Sequence, residues 1–138
     1  MNSMGYRMKK ILIVDDKIEQ IYSIKKYFST FHRSEYHIIS ATNGKQCFSQ
    51  LKKEMPDVII LDIMMPGMNG WEVIENLKMY PSYKNIPLII LTARTDGFAR
   101  DAGNLMADDF IAKPVDMEEL KIRIDKVLNK YHNDREIF

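Results

Sequence analysis

One cysteine, six glycines and five prolines are all that 138 residues hold of the residue types that staple or punctuate a chain. With Cys47 alone no internal disulfide can form, so the fold must be held by packing, and a reducing compartment suits it. So little glycine and proline excludes a fibrous or low-complexity chain, and 46% hydrophobic residues excludes an intrinsically disordered one. An excess of charge of one sign is also missing. Twenty Lys and Arg face nineteen Asp and Glu for a net charge of +1, which gives no overall field to draw the chain to nucleic acid or an anionic membrane. Long apolar runs are absent as well. The basic opening MNSMGYRMKK is followed by only ILIV before two aspartates, too short for a signal peptide or a membrane span, so a cytoplasmic location is expected.

The chain has the length of one ordinary domain and can bury a core. Five apolar runs of strand length recur along it: Ile11-Leu12-Ile13-Val14, Tyr36-His37-Ile38-Ile39, Val58-Ile59-Ile60-Leu61, Leu88-Ile89-Ile90-Leu91 and Asp109-Phe110-Ile111-Ala112. The first, third and fourth are continuously apolar, as parallel strands covered on both faces require, and should be central. Between the runs apolar residues fall at helical spacing, as in Ile18, Ile21, Tyr22, Ile24 and Phe28, in Cys47, Phe48 and Leu51, and in Trp71, Val73, Ile74 and Leu77. A last helix is expected from Asp116, its cap, to about Tyr131, with Leu120, Ile122, Ile124, Val127 and Leu128 as its stripe. This alternation predicts a flavodoxin-like (βα)5 fold of the α/β class: a three-layer sandwich around a parallel sheet of order 2-1-3-4-5. One domain is expected over 8–131, with residues 1–7 and 132–138 as short mobile ends.

In such a sheet ligands bind beyond the carboxyl ends of the strands. Asp15 and Asp16 follow the first run, Asp62 the third, Thr92 the fourth and Lys113 the fifth. Any one of these alone reads as a turn former, a cap or a solvated loop residue. Their shared position is what argues for a site. Crowded carboxylates repel one another unless a cation lies between them, and hard Mg²⁺ takes such oxygen ligands. A carboxylate can also attack phosphorus, so Asp62 is a candidate nucleophile, with Lys113 as a point charge and Thr92 as a neutral donor for a phosphoryl oxygen.

These residues resemble the receiver domain of two-component response regulators, of the CheY-like superfamily. The likeness is carried by Ile11-Leu12-Ile13-Val14-Asp15-Asp16, by Asp62-Ile63-Met64-Met65-Pro66-Gly67-Met68-Asn69-Gly70, by Leu91-Thr92-Ala93 and by Asp108-Asp109-Phe110-Ile111-Ala112-Lys113-Pro114. The resemblance implies that Asp62 accepts a phosphoryl group from a sensor histidine kinase or a histidine phosphotransfer protein. It implies that Asp15, Asp16, Asp62 and the Met64 carbonyl hold Mg²⁺, with Mn²⁺ able to substitute. Thr92 and Lys113 would contact the phosphoryl group, Thr92 and Phe110 would act as the switch pair, and Pro114 would follow a cis peptide. A plain reading of Phe110 is a ring packed at a strand edge. Pro66 and Gly70 should shape the acceptor loop, Gly70 by its backbone freedom. Met64 and Arg94 match positions that tune the lifetime of the acyl phosphate, and a bulky apolar Met64 predicts slow self-dephosphorylation.

One stretch departs from the family pattern. Where a glycine usually ends the fourth helix this chain has Met106, so the helix is expected to stop at Gly103 or Asn104 and expose Leu105 or Met106. The surface of the fourth helix, fifth strand and fifth helix is the family's switching face, and a homodimer through it is a further partner the resemblance allows.

Other chemistries lack their parts. A haloacid-dehalogenase-like phosphatase needs a second Asp two residues after its nucleophile, and Met64 occupies that place. Phosphate-loop, nucleophile-elbow and zinc-protease motifs are missing, and His32, His37 and His132 are scattered. The expectation is therefore no enzyme beyond its own phosphorylation and slow dephosphorylation, a downstream protein effector, no direct nucleic acid and no membrane. Two alternatives stay open: a phosphorylation-independent binding module, and the receiver fragment of a longer regulator with a separate output domain.

Overall fold

A computed structural model describes residues 7–136, and side chains as far as residue 131. Ten elements alternate: β1 (Lys9–Val14), α1 (Ile18–Phe31), β2 (Tyr36–Ala41), α2 (Gly44–Lys53), β3 (Val58–Leu61), α3 (Gly70–Met79), β4 (Leu88–Thr92), α4 (Gly97–Met106), β5 (Asp109–Ala112) and α5 (Met117–Glu136). The strands form one sheet in the order β2-β1-β3-β4-β5, each pairing parallel, as the alternation predicts.

The two-residue repeat of the strands sorts their side chains into two dry layers. Leu12, Val14, Ile59, Leu61, Leu88, Ile90 and Phe110 point to the side covered by α2, α3 and α4. Ile11, Ile13, Val58, Ile60, Ile89, Leu91 and Ile111 point to the side covered by α1 and α5. Because the central strands are covered twice, they are continuously apolar from Ile11 to Val14, from Val58 to Leu61 and from Leu88 to Leu91; Lys9 and Lys10 stand only at the half-buried start of β1 and Thr92 only at the end of β4. Polar side chains can therefore enter the middle of the sheet only at its ends.

Four of the five helices, α1 excepted, begin where a side chain satisfies a free amide. Asn43 and Asp96 accept from the amides of Gln46 and Ala99, and Asn69 with Glu72 forms a capping box. Asp116 accepts from the Glu119 amide at 3.2 Å, the predicted cap of α5. That helix runs to Glu136, past the expected end near Tyr131. Of the expected mobile ends, residues 1–6, 137 and 138 lie outside the described residues, residues 132–136 continue α5, and Arg7 is paired with Asp57.

Three local expectations are corrected. Helix α4 does not stop at Gly103 or Asn104 but continues through Met106. Ala107 ends it with extended backbone, φ −121° and ψ 161°, so no left-handed residue is needed and Met106 is tolerated. Leu105 and Met106 are nonetheless exposed. Gly70 has no positive φ; its smallness matters because a Cβ there would stand 2.3 Å from the Ile63 Cα. The backbone freedom of the acceptor loop belongs to Gly67, at φ 74°. Lastly, Ile18, Tyr22 and Ile122 face solvent rather than the core, leaving Ile21, Ile24 and Phe28 as the buried stripe of α1.

Candidate functional site

The sheet's hydrogen-bond ladder carries the site residues one step past the strand ends. The Asp15 amide donates to the Ala41 carbonyl at 3.1 Å, the Asp62 amide to Val14 at 2.9 Å, and the Lys113 amide to Thr92 at 2.8 Å. Their backbones are thus fixed by main-chain bonds, and only side-chain rotamers remain free. Strand β1 sits beside β3, with β2 on its other side, so Asp15, Asp16 and Asp62 gather at the point where the chain's direction of winding reverses. Lys113 follows the edge strand two positions from β3, about 10 Å away at ordinary strand spacing, a gap its long stem spans.

The geometry converges on Asp62. Its Oδ1 accepts the Thr92 hydroxyl and the Met64 amide, each at 2.8 Å, and its Oδ2 accepts the Lys113 ammonium at 2.9 Å. Lys113 also donates to Asp15 Oδ2 at 2.7 Å, while Asp15 Oδ1 takes the Lys17 amide at 2.9 Å. Asp15 and Asp62 therefore serve both as turn formers two residues ahead of their partners and as members of the cluster. The two readings that compete in the sequence are both true in the fold.

Charge is not balanced here. The side chains of Asp15 and Asp62 are 3% and 2% exposed, and one ammonium answers both. Burial alone would lower the Lys113 pKa; hydrogen bonds and attraction from Asp15 and Asp62 outweigh it and hold the pKa above the ordinary lysine value. The third carboxylate, Asp16, has a buried Oδ1 with no hydrogen-bond partner, and the Lys17 ammonium stands 3.8 Å from it. Carboxylate oxygens of Asp15, Asp16 and Asp62 lie within 4.8 Å of one another. An unpartnered buried oxygen, two buried carboxylates sharing one ammonium and all-oxygen donors fit a hard divalent cation.

The remaining predicted residues stand close by. The Thr92 hydroxyl is fully buried, and its oxygen accepts the Arg94 amide at 3.2 Å. The Arg94 guanidinium is not turned onto the carboxylates: its Nε donates to Asp96 at 2.8 Å and its plane lies near Phe98. The Met64 side chain is half-exposed, the Lys113–Pro114 peptide is cis, and the Phe110 ring is buried against the layer under α4. The amide contributions of Lys17, Met64 and Arg94 escaped the sequence reading, although an Asp two residues before a free amide at a strand end is the signal for such turns.

Comparison with known proteins agrees. A family model of the response regulator receiver domain matches residues 11–125, a span that contains every candidate residue named above. The alkaline phosphatase synthesis transcriptional regulatory protein PhoP of Bacillus subtilis is 35% identical over 123 residues, 88% of this chain and 49% of that protein. The response regulator SaeR of Staphylococcus aureus is 35% identical over 130 residues, 91% of this chain and 54% of that protein. The chain thus spans about half the length of the curated relatives it matches. Among solved structures, the chemotaxis protein CheY4 of Vibrio cholerae has a TM-score of 0.77 at 30% identity, covering 88% of this chain and 99% of its own. With the acidic cluster at the end of a 2-1-3-4-5 sheet and a family match over most of its length, the chain belongs to the response regulator receiver domains of two-component systems.

Proposed function

We propose that this domain accepts a phosphoryl group on Asp62 from the phosphohistidine of a sensor histidine kinase or a histidine phosphotransfer protein, and that the modification switches its binding to a downstream protein. The observation that carries this reading is the shared Lys113 ammonium, 2.7 Å from Asp15 and 2.9 Å from Asp62, beside the Thr92 hydroxyl. A carboxylate oxygen of Asp62 attacks phosphorus, the P–N bond breaks, and imidazole leaves with the bonding pair and takes up a proton. Asp62 attacks as a carboxylate and so calls for no general base, its oxygens held by Lys113 and two neutral donors. Once the oxygen is esterified, the Lys113 ammonium and the Thr92 hydroxyl are free to follow the new phosphoryl oxygens, which carry more charge than the carboxylate they replace.

Asp15, Asp16, Asp62 and the Met64 carbonyl would hold Mg²⁺, with Mn²⁺ as a substitute. When bound, the ion offsets charge on the transferring phosphoryl group. Water attacking the same phosphorus reverses the modification; half-exposed Met64 offers it no hydrogen bond, so self-dephosphorylation is slow and Met64→Asn speeds it. The protein acts catalytically only on itself. No helix among the described residues is long and apolar enough to cross a membrane, and the cytoplasm, where phosphohistidine donors reside, is the proposed location. The relatives of twice this length are named transcriptional regulators, but the matched half is proposed to contact protein, including a second copy of itself through α4, β5 and α5, rather than nucleic acid.

Intact mass after incubation with acetyl phosphate tests the chemistry. A gain of one phosphoryl group that requires Mg²⁺ and is lost in Asp62→Asn is expected. No gain in the wild-type chain overturns the reading in favour of a binding module independent of phosphorylation.

A further inference from the structure

The two edges of the sheet are finished differently. Strand β5 closes one edge with charge: at its centre the Phe110 amide donates to the Asp109 carboxylate at 2.8 Å, and the Phe110 carbonyl accepts from Arg123 at 3.3 Å. Strand β2 forms the other edge with six residues against four, Tyr-His-Ile-Ile-Ser-Ala, and carries no Asp, Glu, Lys, Arg or Pro. The Lys9 amide donates to the Glu35 carbonyl and the Asp15 amide to the Ala41 carbonyl. By the alternation of a parallel ladder, Glu35, His37, Ile39 and Ala41 therefore turn their main-chain groups to β1, and Tyr36, Ile38 and Ser40 turn theirs outward. Two of the outward groups are engaged locally, the Tyr36 amide by the His32 carbonyl at 3.1 Å and the Ser40 carbonyl by Gln50 Nε2 at 2.8 Å. The Tyr36 carbonyl, both groups of Ile38 and the Ser40 amide have no hydrogen-bond partner among the described residues. Ile38 and Ser40 are half-exposed and His37 is exposed, so this edge is open to approach.

These four groups are complementary to themselves. Laid antiparallel to a second β2 about a twofold axis at Ile38, the strand places Ile38 opposite Ile38, Tyr36 opposite Ser40 and His37 opposite Ile39. Each Ile38 then exchanges both of its bonds with Ile38 of the other copy, and each Ser40 amide donates to the other Tyr36 carbonyl. The bond missing from a full ladder is the one between the Tyr36 amide and the Ser40 carbonyl, and those are the two groups already engaged. Every free group finds a partner and no existing bond is broken. The side chains agree, because like charges directly opposite destabilise a pair and His37 faces Ile39 rather than its own counterpart. We infer that β2 is a self-association edge, at which a second copy of this chain adds its β2 antiparallel and joins two five-stranded sheets into one. The contact does not depend on phosphorylation, and it lies at the opposite edge of the sheet from β5, leaving α4, β5 and α5 free.

Sedimentation and amide hydrogen exchange of the full chain at rising concentration test this edge. The mass should climb from monomer toward dimer, and exchange at the Ile38 and Ser40 amides should slow with it, while the His37 and Ile39 amides, turned to β1, are slow throughout. Ile38→Pro loses only an outward amide and should keep the fold but stay monomeric. The register is tested by cross-linking under a mild oxidant, with Cys47 fully buried and out of reach. Ile38→Cys should give a covalent dimer and Ser40→Cys should not, since the two Ser40 positions stand four residues apart along the paired strands, about 13 Å, too far for a disulfide. A wild-type chain still monomeric at about 1 mM overturns the inference. So does a dimer whose Ile38 and Ser40 amides exchange freely, the result expected of pairing through α4, β5 and α5 alone. Equal cross-linking of the two cysteine variants overturns the twofold at Ile38. Should Ile38→Pro fail to fold, exchange and cross-linking decide without it.

Discussion

Strand β3 has an aspartate at each end, and the two live under opposite charge balance. Asp57, before the strand, accepts the Lys10 amide at 2.7 Å and pairs with the Arg7 guanidinium, while nearby Glu54 pairs with the Lys10 ammonium at 3.0 Å. Two carboxylates there meet two cations. Asp62, four buried residues later, shares one ammonium with Asp15 and lies within reach of Asp16, whose buried oxygen has no hydrogen-bond partner. Both aspartates are anchored by backbone amides, so hydrogen bonding alone does not distinguish a structural carboxylate from a functional one. The surplus of charge does: a fold tolerates uncompensated buried carboxylates only where something else is meant to bind them.

Exchanging each aspartate for its amide breaks this comparison most sharply. Asp57→Asn keeps an oxygen for the Lys10 amide and removes an ion pair whose arginine is 66% exposed, so it should cost no more than about 1 kcal/mol in urea unfolding. Its phosphoryl gain from acetyl phosphate should equal that of the wild type, whereas Asp62→Asn should show none. Equal labelling of both variants would remove β3's carboxyl end from the chemistry.

The lysines give the next largest contrast. Lys113→Met leaves two buried carboxylates facing each other and should lose about 3 to 5 kcal/mol in Mg²⁺-free buffer, as expected when one partner of a buried pair is removed. Lys10→Met, at the balanced end, should lose about 1 kcal/mol or less, because its ion pair is one-third exposed on both sides. The pH sign follows from the raised Lys113 pKa. Its contribution is complete below the ordinary lysine value of about 10.4 and is lost as pH rises through the higher folded value, a component of alkaline destabilisation that Lys113→Met should lack.

Metal addition should act at one end only. Magnesium at about one hundred times its dissociation constant should raise stability by about 2.7 kcal/mol, seen as a rise in melting temperature. Asp16→Asn should shrink that rise, since it weakens a buried oxygen that has no hydrogen-bond partner among the described residues. Glu54→Gln, at the balanced end, should leave it unchanged.

Much of this was legible beforehand, for reasons that particular residues make plain. Doubly covered strands must be continuously apolar, so Val58–Leu61 and Leu88–Leu91 announced themselves, and polar residues just past such runs had to lie at the sheet's ends. Relations between distant side chains were not legible. Helical spacing put Ile18, Tyr22 and Ile122 on apolar stripes, but which side of a helix touches the sheet depends on the helix's rotation as packed, and these three are exposed. Met106 points to an early end of α4 only if the helix must exit through a left-handed residue, and an extended Ala107 removes that need. Gly70 and Gly103 look like conformational or breaker residues in the sequence; in the fold both are spaces, one for the Ile63 backbone and one for the Phe110 ring.

The smallest expected effect sets the wet, charged pole against the dry layer beneath α2. Cys47 lies there fully buried, and burial pushes its thiol up to about 12. In the unfolded chain the same thiol ionises near its ordinary value of about 8.5. Between those values the unfolded state releases a proton that the folded state keeps, so stability falls as pH rises, by about 1.4 kcal/mol from pH 7 to 9.5. Cys47→Ala removes that slope, whatever it costs in packing, while the titrations of lysines and tyrosines remain common to both proteins. Urea unfolding of the pair across this range should therefore give curves that approach one another with rising pH. Parallel curves would mean that the thiol ionises as easily folded as unfolded, and that the layer under α2 admits water as the carboxylate pole does.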